Sequence, residues 1–309
     1  MHKQGRGGLP YGLGAILIWS TSSASLVSLP ALPAPALLLA THLVAALFLN
    51  GWAMVHLGPR AALAELGRLG WRPLAYGFLG TYVYQMGYVL GLKLAPPAEA
   101  NLLNYLWPLF TALLAVPIRG EKGRPSLWLA LACGLAGMTL LVSGPTGGDY
   151  PLRLFGYLGA LIAALSWGIY SNLLAGLPEN PLTLQRAFVL VGAGGFAITA
   201  VATGTLGGPP AASSLGTIAY IGIGPLASSS LLWQESMRRG PVQQVAAVSY
   251  LTPVLSTLWL SLITGTPMTT NLVAGLVLVL VAAVLPSSGS LWRIGYRLRH
   301  LSSRLREGS

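Results

Sequence analysis

The sequence predicts an all-α membrane protein with ten transmembrane helices arranged as two inverted five-helix repeats. Three observations lead to this prediction. Only 8% of the 309 residues are charged, whereas 54% are hydrophobic. Ten apolar stretches follow one another with short breaks between them, and the fourth and ninth stretches share a sequence motif in register.

The composition decides the class of protein. A soluble domain carries about 25% charged residues because water must wet its surface, so most of this chain's outer surface faces something other than water. The net charge of +11 is spread over short loops and the tail rather than over a polar domain, which argues against nucleic-acid binding. The lone Cys133 forms no internal disulfide and implies no metal cluster.

The apolar stretches are bounded by proline, glycine or charged residues. Proline cannot continue a helix without losing a hydrogen bond, so clusters such as Pro96–Pro97 and Pro209–Pro210 predict helix ends. A spanning helix needs about 20 mostly apolar residues. We place the spans at residues 10–29, 35–57, 73–94, 98–118, 126–144, 154–176, 182–204, 214–236, 242–264 and 269–286.

The basic residues orient these spans. With the N-terminus in the cytoplasm, the predicted outside segments hold only Lys93 and Arg153 of the 18 lysines and arginines. Positive charge is retained on the cytoplasmic side of membranes. The asymmetry predicts an even number of spans with both termini cytoplasmic.

An internal repeat relates the fourth span to the ninth at an offset of 145 residues. Residues 95–115 read APPAEANLLNYLWPLFTALLA, and residues 240–260 read GPVQQVAAVSYLTPVLSTLWL. The first and sixth spans each carry a tryptophan, Trp19 and Trp167. The matched pairs are Pro96 with Pro241, Asn104 with Ser249, Tyr105 with Tyr250, Pro108 with Pro253 and Thr111 with Ser256.

The repeat predicts three segments and a function. Residues 1–149 form the first five-helix repeat, residues 150–287 the second, and residues 288–309 a basic amphipathic or merely solvated cytoplasmic tail. Because five is odd, the second repeat enters the membrane in the opposite orientation. Inverted repeats are typical of transporters that bind substrate at the midplane between the halves.

With ten spans, a tryptophan in the first span and an Asn/Ser-Tyr-Leu-x-Pro motif in the fourth and ninth, the chain resembles the EamA-type exporters of the drug/metabolite transporter superfamily. Within that superfamily it is most similar to the bacterial aromatic amino acid exporters. The resemblance covers the chain up to about residue 286. It implies a central cavity, alternating access, export of amino acids or similar metabolites, and a location in the bacterial inner membrane.

Polar and aromatic side chains within the spans are the candidates for substrate contact, because polar groups are costly in lipid. Aromatic rings pack an apolar side chain and attract an ammonium group, while amides and hydroxyls orient a carboxylate. A helix-packing role stays open for Tyr105 and Tyr250, and an interfacial role for each aromatic residue. The candidates are Trp19, Tyr84, Gln85, Tyr88, Asn101, Tyr105, Trp107, Trp167, Gln244, Ser249 and Tyr250.

Other residues are candidates for movement and coupling. Pro108 and Pro253 lie inside their spans, where they act either as hinges or as static bends. Glu99 and His42 are the candidates for proton coupling, although facilitated diffusion or exchange fits a chain without a mid-membrane carboxylate better. Gly87 and Gly91 have the spacing of closely packed helices.

The remaining function classes fit less well. The seven acidic residues and four histidines form no catalytic, metal-binding or nucleotide-binding motif, so we expect neither an enzyme nor a cofactor. A channel or a lipid-handling membrane protein remains the alternative to a transporter. We expect a monomer whose partners are a small-molecule substrate and the lipid bilayer.

Overall fold

The computed structural model describes residues 8–29, 31–120, 128–129, 132–137, 150–174, 177–208, 210–239, 251–265 and 267–284. Within these ranges the chain forms helices and turns and no strands. The first half contributes α1 Leu9–Ser20, α2 Ser22–Val27, α3 Ala34–Leu57, α4 Pro59–Gly67, α5 Trp71–Gly77, α6 Tyr84–Leu94, α7 Pro97–Asn104 and α8 Trp107–Arg119. The second contributes α9 Tyr150–Leu174, α10 Pro181–Ala202, α11 Ala212–Ile221, α12 Ser229–Arg239, α13 Leu251–Thr264 and α14 Thr270–Val284.

The described helices follow the predicted spans. Five candidate spans, namely Ala34–Leu57, Pro97–Ile118, Pro151–Leu174, Pro181–Ala202 and Ala212–Ser236, are long and apolar enough to cross a membrane. Proline stands in the first turn of α3, α7 and α10, where its missing N–H costs no helical bond. Large apolar side chains point outward, with Leu47 74% and Leu262 75% exposed, as expected for surfaces solvated by lipid.

Two π-helical segments interrupt corresponding spans of the two halves. Phe78–Val83 separates α5 from α6, and Gly222–Ser228 separates α11 from α12. At the 145-residue offset of the sequence repeat, Phe78 corresponds to Ile223. Such segments are rare and concentrate at functional sites. Their recurrence at matching positions supports the register of the predicted repeat.

Helix packing is reciprocal between the two halves. The third span of the first half packs on the second half: α6 contacts α9, and the π-helical segment Phe78–Val83 contacts α10. The corresponding span of the second half packs on the first half in the same way: α12 contacts α1, and the segment Gly222–Ser228 contacts α3. The pairs α8–α9 and α1–α13 complete the pattern, and α3 packs on its own counterpart α10. Exchanging each helix with its counterpart reproduces these pairs, which supports two repeats related by a pseudo-twofold axis.

Helix directions agree with the predicted order of crossings. On α6 and α9, Gly87 meets Gly159 and Gly91 meets Gly156, so the two helices are antiparallel. In contrast, α8 and α9 run parallel. Trp107 meets Trp167, Phe110 meets Gly168, and the Thr111 carbonyl oxygen accepts a hydrogen bond from Asn172 Nδ2 at 2.9 Å. Two helices that cross one bilayer in the same direction have an odd number of crossings between them in the chain. Between α8 and α9, the predicted fifth span is that crossing.

The contact between α6 and α9 is close enough to require glycine. A Cβ atom on Gly87 would lie 2.6 Å from the Gly159 carbonyl oxygen, and a Cβ on Gly159 would lie 2.8 Å from the Gly87 carbonyl oxygen. Both obstacles are backbone atoms, so no side-chain movement relieves them. The predicted packing role of Gly87 and Gly91 is therefore confirmed.

We expect Gly87→Ala to lower the free energy of unfolding by about 1–3 kcal/mol, because the added methyl group pushes α6 away from α9. The control is Gly194→Ala, at a helical position where a Cβ would meet no atom within 4 Å. The thermal unfolding midpoints of both variants in detergent measure the difference. Equal midpoints would contradict the close contact.

Arg186 joins the second half to the first from a fully buried position on α10. Its Nε donates to Asn50 Oδ1 at 3.0 Å, and its Nη2 donates to the Ala62 carbonyl oxygen at 2.8 Å. Nη1 lies 3.5 Å from Glu65 Oε2. The sequence predicts a cytoplasmic position for Arg186 among the other basic residues, but this side chain fixes α4 against α10 instead of facing water.

We expect Arg186→Met to destabilise the protein by about 2–4 kcal/mol, because it leaves two acceptors without their donors. Glu65 is 35% exposed, so most of that cost belongs to Asn50 and Ala62. Arg60→Met, at an exposed position, is the matched control. Thermal unfolding that shifts equally in both variants would show that the buried hydrogen bonds contribute nothing.

Candidate functional site

An aromatic cluster lies where the two halves meet. We define it as Tyr84 and Tyr88 on α6, Trp107 at the start of α8, and Trp167 and Tyr170 on α9. The ring of Trp167 is central, with centroid distances of 4.7 Å to Tyr84, 6.3 Å to Trp107 and 5.3 Å to Tyr170. Tyr84 and Tyr88 stack at 6.0 Å, because residues four apart share one helical face.

A chain of buried hydrogen bonds adjoins this cluster; we call it the polar network. The Tyr88 hydroxyl donates to Asn101 Oδ1 at 2.7 Å, and Asn101 Nδ2 donates to Ser256 Oγ at 2.7 Å. Ser256 Oγ is also 2.9 Å from Ser23 Oγ. The polar network therefore ties α2, α6 and α7 of the first half to α13 of the second.

The fourth span is interrupted beside the aromatic cluster. Helix α7 ends at Asn104, Tyr105 and Leu106 form a turn, and α8 begins at Trp107. Pro108, in the first turn of α8, has no N–H to donate to the Asn104 carbonyl four residues earlier. Asn104 Nδ2 donates to the Tyr84 hydroxyl at 3.4 Å. The sequence predicted a kink at Pro108, and the structure has a break directly before it.

The structure separates Trp19 from the aromatic cluster. Trp19 packs on Trp233 of α12 with ring centroids 5.4 Å apart, and its Nε1 donates to the Pro225 carbonyl oxygen at 3.1 Å. This pairing is the counterpart of the pairing of Trp167 with α6, because Trp233 stands 145 residues after Tyr88. Trp19 thus belongs to a second aromatic pair.

The other candidates are distributed as follows. Gln85 is half-buried on α6, Tyr105 is buried in the turn between α7 and α8, and Pro253 is buried in α13. Gln244, Ser249 and Tyr250 lie outside the described residues, as does the predicted tail at 288–309.

The two coupling candidates have local partners. Glu99 is half-buried in the first turn of α7, where Oε2 accepts a hydrogen bond from the Tyr157 hydroxyl on α9. His42 is fully buried between α3 and α10, with Nδ1 donating to the Leu38 carbonyl oxygen at 2.8 Å and its ring 4.8 Å from that of Phe196. Its Nε2 has no hydrogen-bond partner.

Three residues of the site were missed by sequence reasoning about ligands. Tyr170 stands three residues after Trp167 and shares its helical face, so that spacing could have identified it. Ser256 was noted only as the repeat partner of Thr111. Ser23 lies in a run of serines and carries no signal in the sequence alone.

The arrangement can bind a small molecule that is both apolar and polar. Five aromatic rings offer flat apolar surfaces and attraction for a cation, while the amides of Asn101 and Asn104 stand at one side. Across the part of the chain that the structure describes, no group of three or more metal-ligating side chains occurs.

Comparisons with known proteins agree with the sequence prediction. A family model described as the EamA-like transporter family matches residues 6–143 and again residues 154–288. The aromatic amino acid exporter YddG of Ancylobacter novellus is 35% identical over 256 residues, covering 81% of this chain and 86% of that protein. The exporter of the same name from Salmonella typhimurium is 26% identical, covering 72% and 79%. A solved structure with 30% identity covers 90% of this chain and 95% of its own, with a TM-score of 0.62.

We expect Tyr88→Phe to lower the free energy of unfolding by about 1–3 kcal/mol, because the buried Asn101 Oδ1 loses its donor. Tyr220→Phe is the control, since it removes a hydroxyl that is 2.6 Å from Thr21 Oγ1. Thr21 Oγ1 keeps its own hydrogen bond to the Ile18 carbonyl oxygen at 2.7 Å, so this change leaves no buried acceptor without a donor. Unfolding midpoints in detergent compare the two. A loss no larger than that of the control would mean that the polar network is not stabilising.

Proposed function

Because this chain belongs to the EamA-like transporter family and has relatives named as aromatic amino acid exporters, we propose that it exports aromatic and other neutral amino acids. The substrate binds at the aromatic cluster and crosses by alternating access. Related small metabolites of the same chemistry would share the path. The protein acts in the bacterial inner membrane as a monomer, with both termini in the cytoplasm.

The observation that carries this proposal is the composition of the aromatic cluster from both halves. Tyr84, Tyr88 and Trp107 come from the first half, and Trp167 and Tyr170 come from the second. Transporters with inverted repeats hold substrate at such an interface. The rings accept a phenyl or other apolar side chain, and their faces attract the ammonium group.

The polar network supports alternating access. It links Asn101 of the first half to Ser256 of the second, near the end of the bundle that the charge distribution predicts to be extracellular. Opening a path to that side requires α7 and α13 to separate, which breaks the hydrogen bond between Asn101 and Ser256. We therefore assign the polar network the role of holding this end closed.

The break in the fourth span supports a hinge at Pro108, with Pro253 as its counterpart in the second half. In the two-residue turn between α7 and α8, the Leu106 N–H donates to the Leu103 carbonyl oxygen three residues earlier, and Pro108 has no N–H to donate. We therefore expect rotation at this turn to cost less than bending a regular helix. Glu99 is engaged by Tyr157, and His42 is enclosed between two helices. These environments favour facilitated diffusion or exchange over proton coupling.

A channel and a lipid-handling protein are the competing functions. Counterflow in proteoliposomes distinguishes them, because a carrier saturates and accelerates uptake when unlabelled substrate is inside, whereas a channel does neither. A fluorescent phospholipid in the same vesicles would report movement of lipid between leaflets.

We expect saturable counterflow of labelled phenylalanine by the wild-type protein, and an apparent affinity about tenfold weaker in Trp167→Ala, because the central ring of the aromatic cluster is removed. Trp52→Ala is the matched control, since Trp52 is 53% exposed on the outside of α3. Failure to transport phenylalanine, methionine and threonine alike would reject the substrate class. Equal effects of the two substitutions would place the binding site elsewhere.

A further inference from the structure

Asn104 has a hydrogen-bonding deficit that the fold does not satisfy. Its side chain is only 2% exposed, and its Nδ2 donates to the Tyr84 hydroxyl. Its Oδ1 is buried without a hydrogen-bond partner. A buried acceptor of this kind costs about 1–3 kcal/mol, and native structures leave few of them unpaired. The site therefore gains free energy when a donor reaches Oδ1.

The backbone carbonyl of Asn104 also lacks its usual helical donor. Helix α7 ends at Asn104, and the residue four positions on is Pro108, which has no N–H to offer the Asn104 carbonyl. The C-terminal end of a helix carries partial negative charge and favours a cation. In transporters, helices broken within the membrane present such ends to bound ions and substrates.

The surroundings select a cation over an anion. The Tyr84 ring beside Asn104 packs on Trp167, and Trp107 follows three residues later at the start of α8. The faces of these rings are electron-rich and attract a positive charge. A lysine or arginine at this place would instead favour a carboxylate, but no such residue hydrogen-bonds to the described members of the aromatic cluster.

We propose that the side-chain carbonyl of Asn104 and the adjoining C-terminal end of α7 receive the α-ammonium group of the transported amino acid, while the aromatic cluster packs its side chain. This inference rests on the proposed function and adds to it the orientation in which the amino acid binds. The ammonium points towards the break between α7 and α8. The protein thereby selects amino acids over the acids that lack the amino group.

Three compounds that share one phenyl group test this polarity. Phenylalanine has both head groups, phenethylamine has only the amine, and 3-phenylpropionate has only the carboxylate. Each is added as a competitor of labelled phenylalanine counterflow, and the concentration for half-inhibition is measured. The wild-type protein should be inhibited by phenylalanine and phenethylamine at lower concentrations than by 3-phenylpropionate.

Substitution of Asn104 should change this order. In Asn104→Leu, half-inhibition by phenylalanine and phenethylamine should need about tenfold more compound, as expected for loss of a hydrogen bond to a charged group, whereas 3-phenylpropionate should be unchanged. Asn104→Asp keeps an acceptor oxygen and should favour phenethylamine further. The Asp variant also provides the readout if the Leu variant does not fold. Asn172→Leu, at another buried asparagine, should leave the ratios as in the wild type.

The outcomes separate this inference from the proposed function. Absence of phenylalanine counterflow in the wild type would reject the proposed function itself. With counterflow present, a wild type that does not prefer the amine-bearing compounds would overturn the role of Asn104. A selective loss of 3-phenylpropionate inhibition in Asn104→Leu would also overturn it, because that result would mean that the carboxylate contacts this residue. Equal shifts for all three compounds in Asn104→Leu would overturn it as well.

Discussion

The close backbone contact between α6 and α9 determines where the aromatic cluster forms. Gly80, Tyr84, Gly87 and Gly91 share one face of the third span, and Gly87 and Gly91 press directly on α9. The opposing face of α9 carries Gly156 and Gly159 and reaches Trp167 about two turns after Gly159. Helices this close leave no room for large side chains at the contact, so the rings gather where the glycines end. The position of the aromatic cluster thus depends on glycine spacing as well as on the aromatic residues themselves.

The two halves are held together by different chemistry at different depths. Arg186 joins them at one end with charge-assisted hydrogen bonds to Asn50 and Ala62, and the polar network joins them nearer the other end through neutral hydroxyl and amide groups. Neutral hydrogen bonds are weaker than those to a charged group. Each hydrogen bond of the polar network is therefore expected to be weaker than each one that Arg186 makes.

Sequence patterns predicted the helices of the described residues well because lipid imposes one requirement on every residue that faces it. Hydropathy and proline positions placed the helices, and the four-residue spacing of Tyr84 and Tyr88 placed them together. The partner of Trp19 could not be found in this way, because Trp233 reaches it only through packing between the halves. Ser23 and Ser256 were equally hidden, since a serine gains meaning only from the atom it meets. Arg186 was counted as a cytoplasmic charge because a sequence does not report which arginines are enclosed.

The π-helical segment Phe78–Val83 sets the rotational phase of the third span. A π-helical turn accommodates one residue more than an α-helical turn, and each residue of an α-helix advances the side chains by about 100°. If this segment were a regular α-helix, the residues after it would be turned away from α9 relative to α5. The rings of Tyr84 and Tyr88 would then face lipid or a different helix. One additional residue, matched by the π-helical segment Gly222–Ser228 in the second half, therefore sets which side chains of the third span face α9.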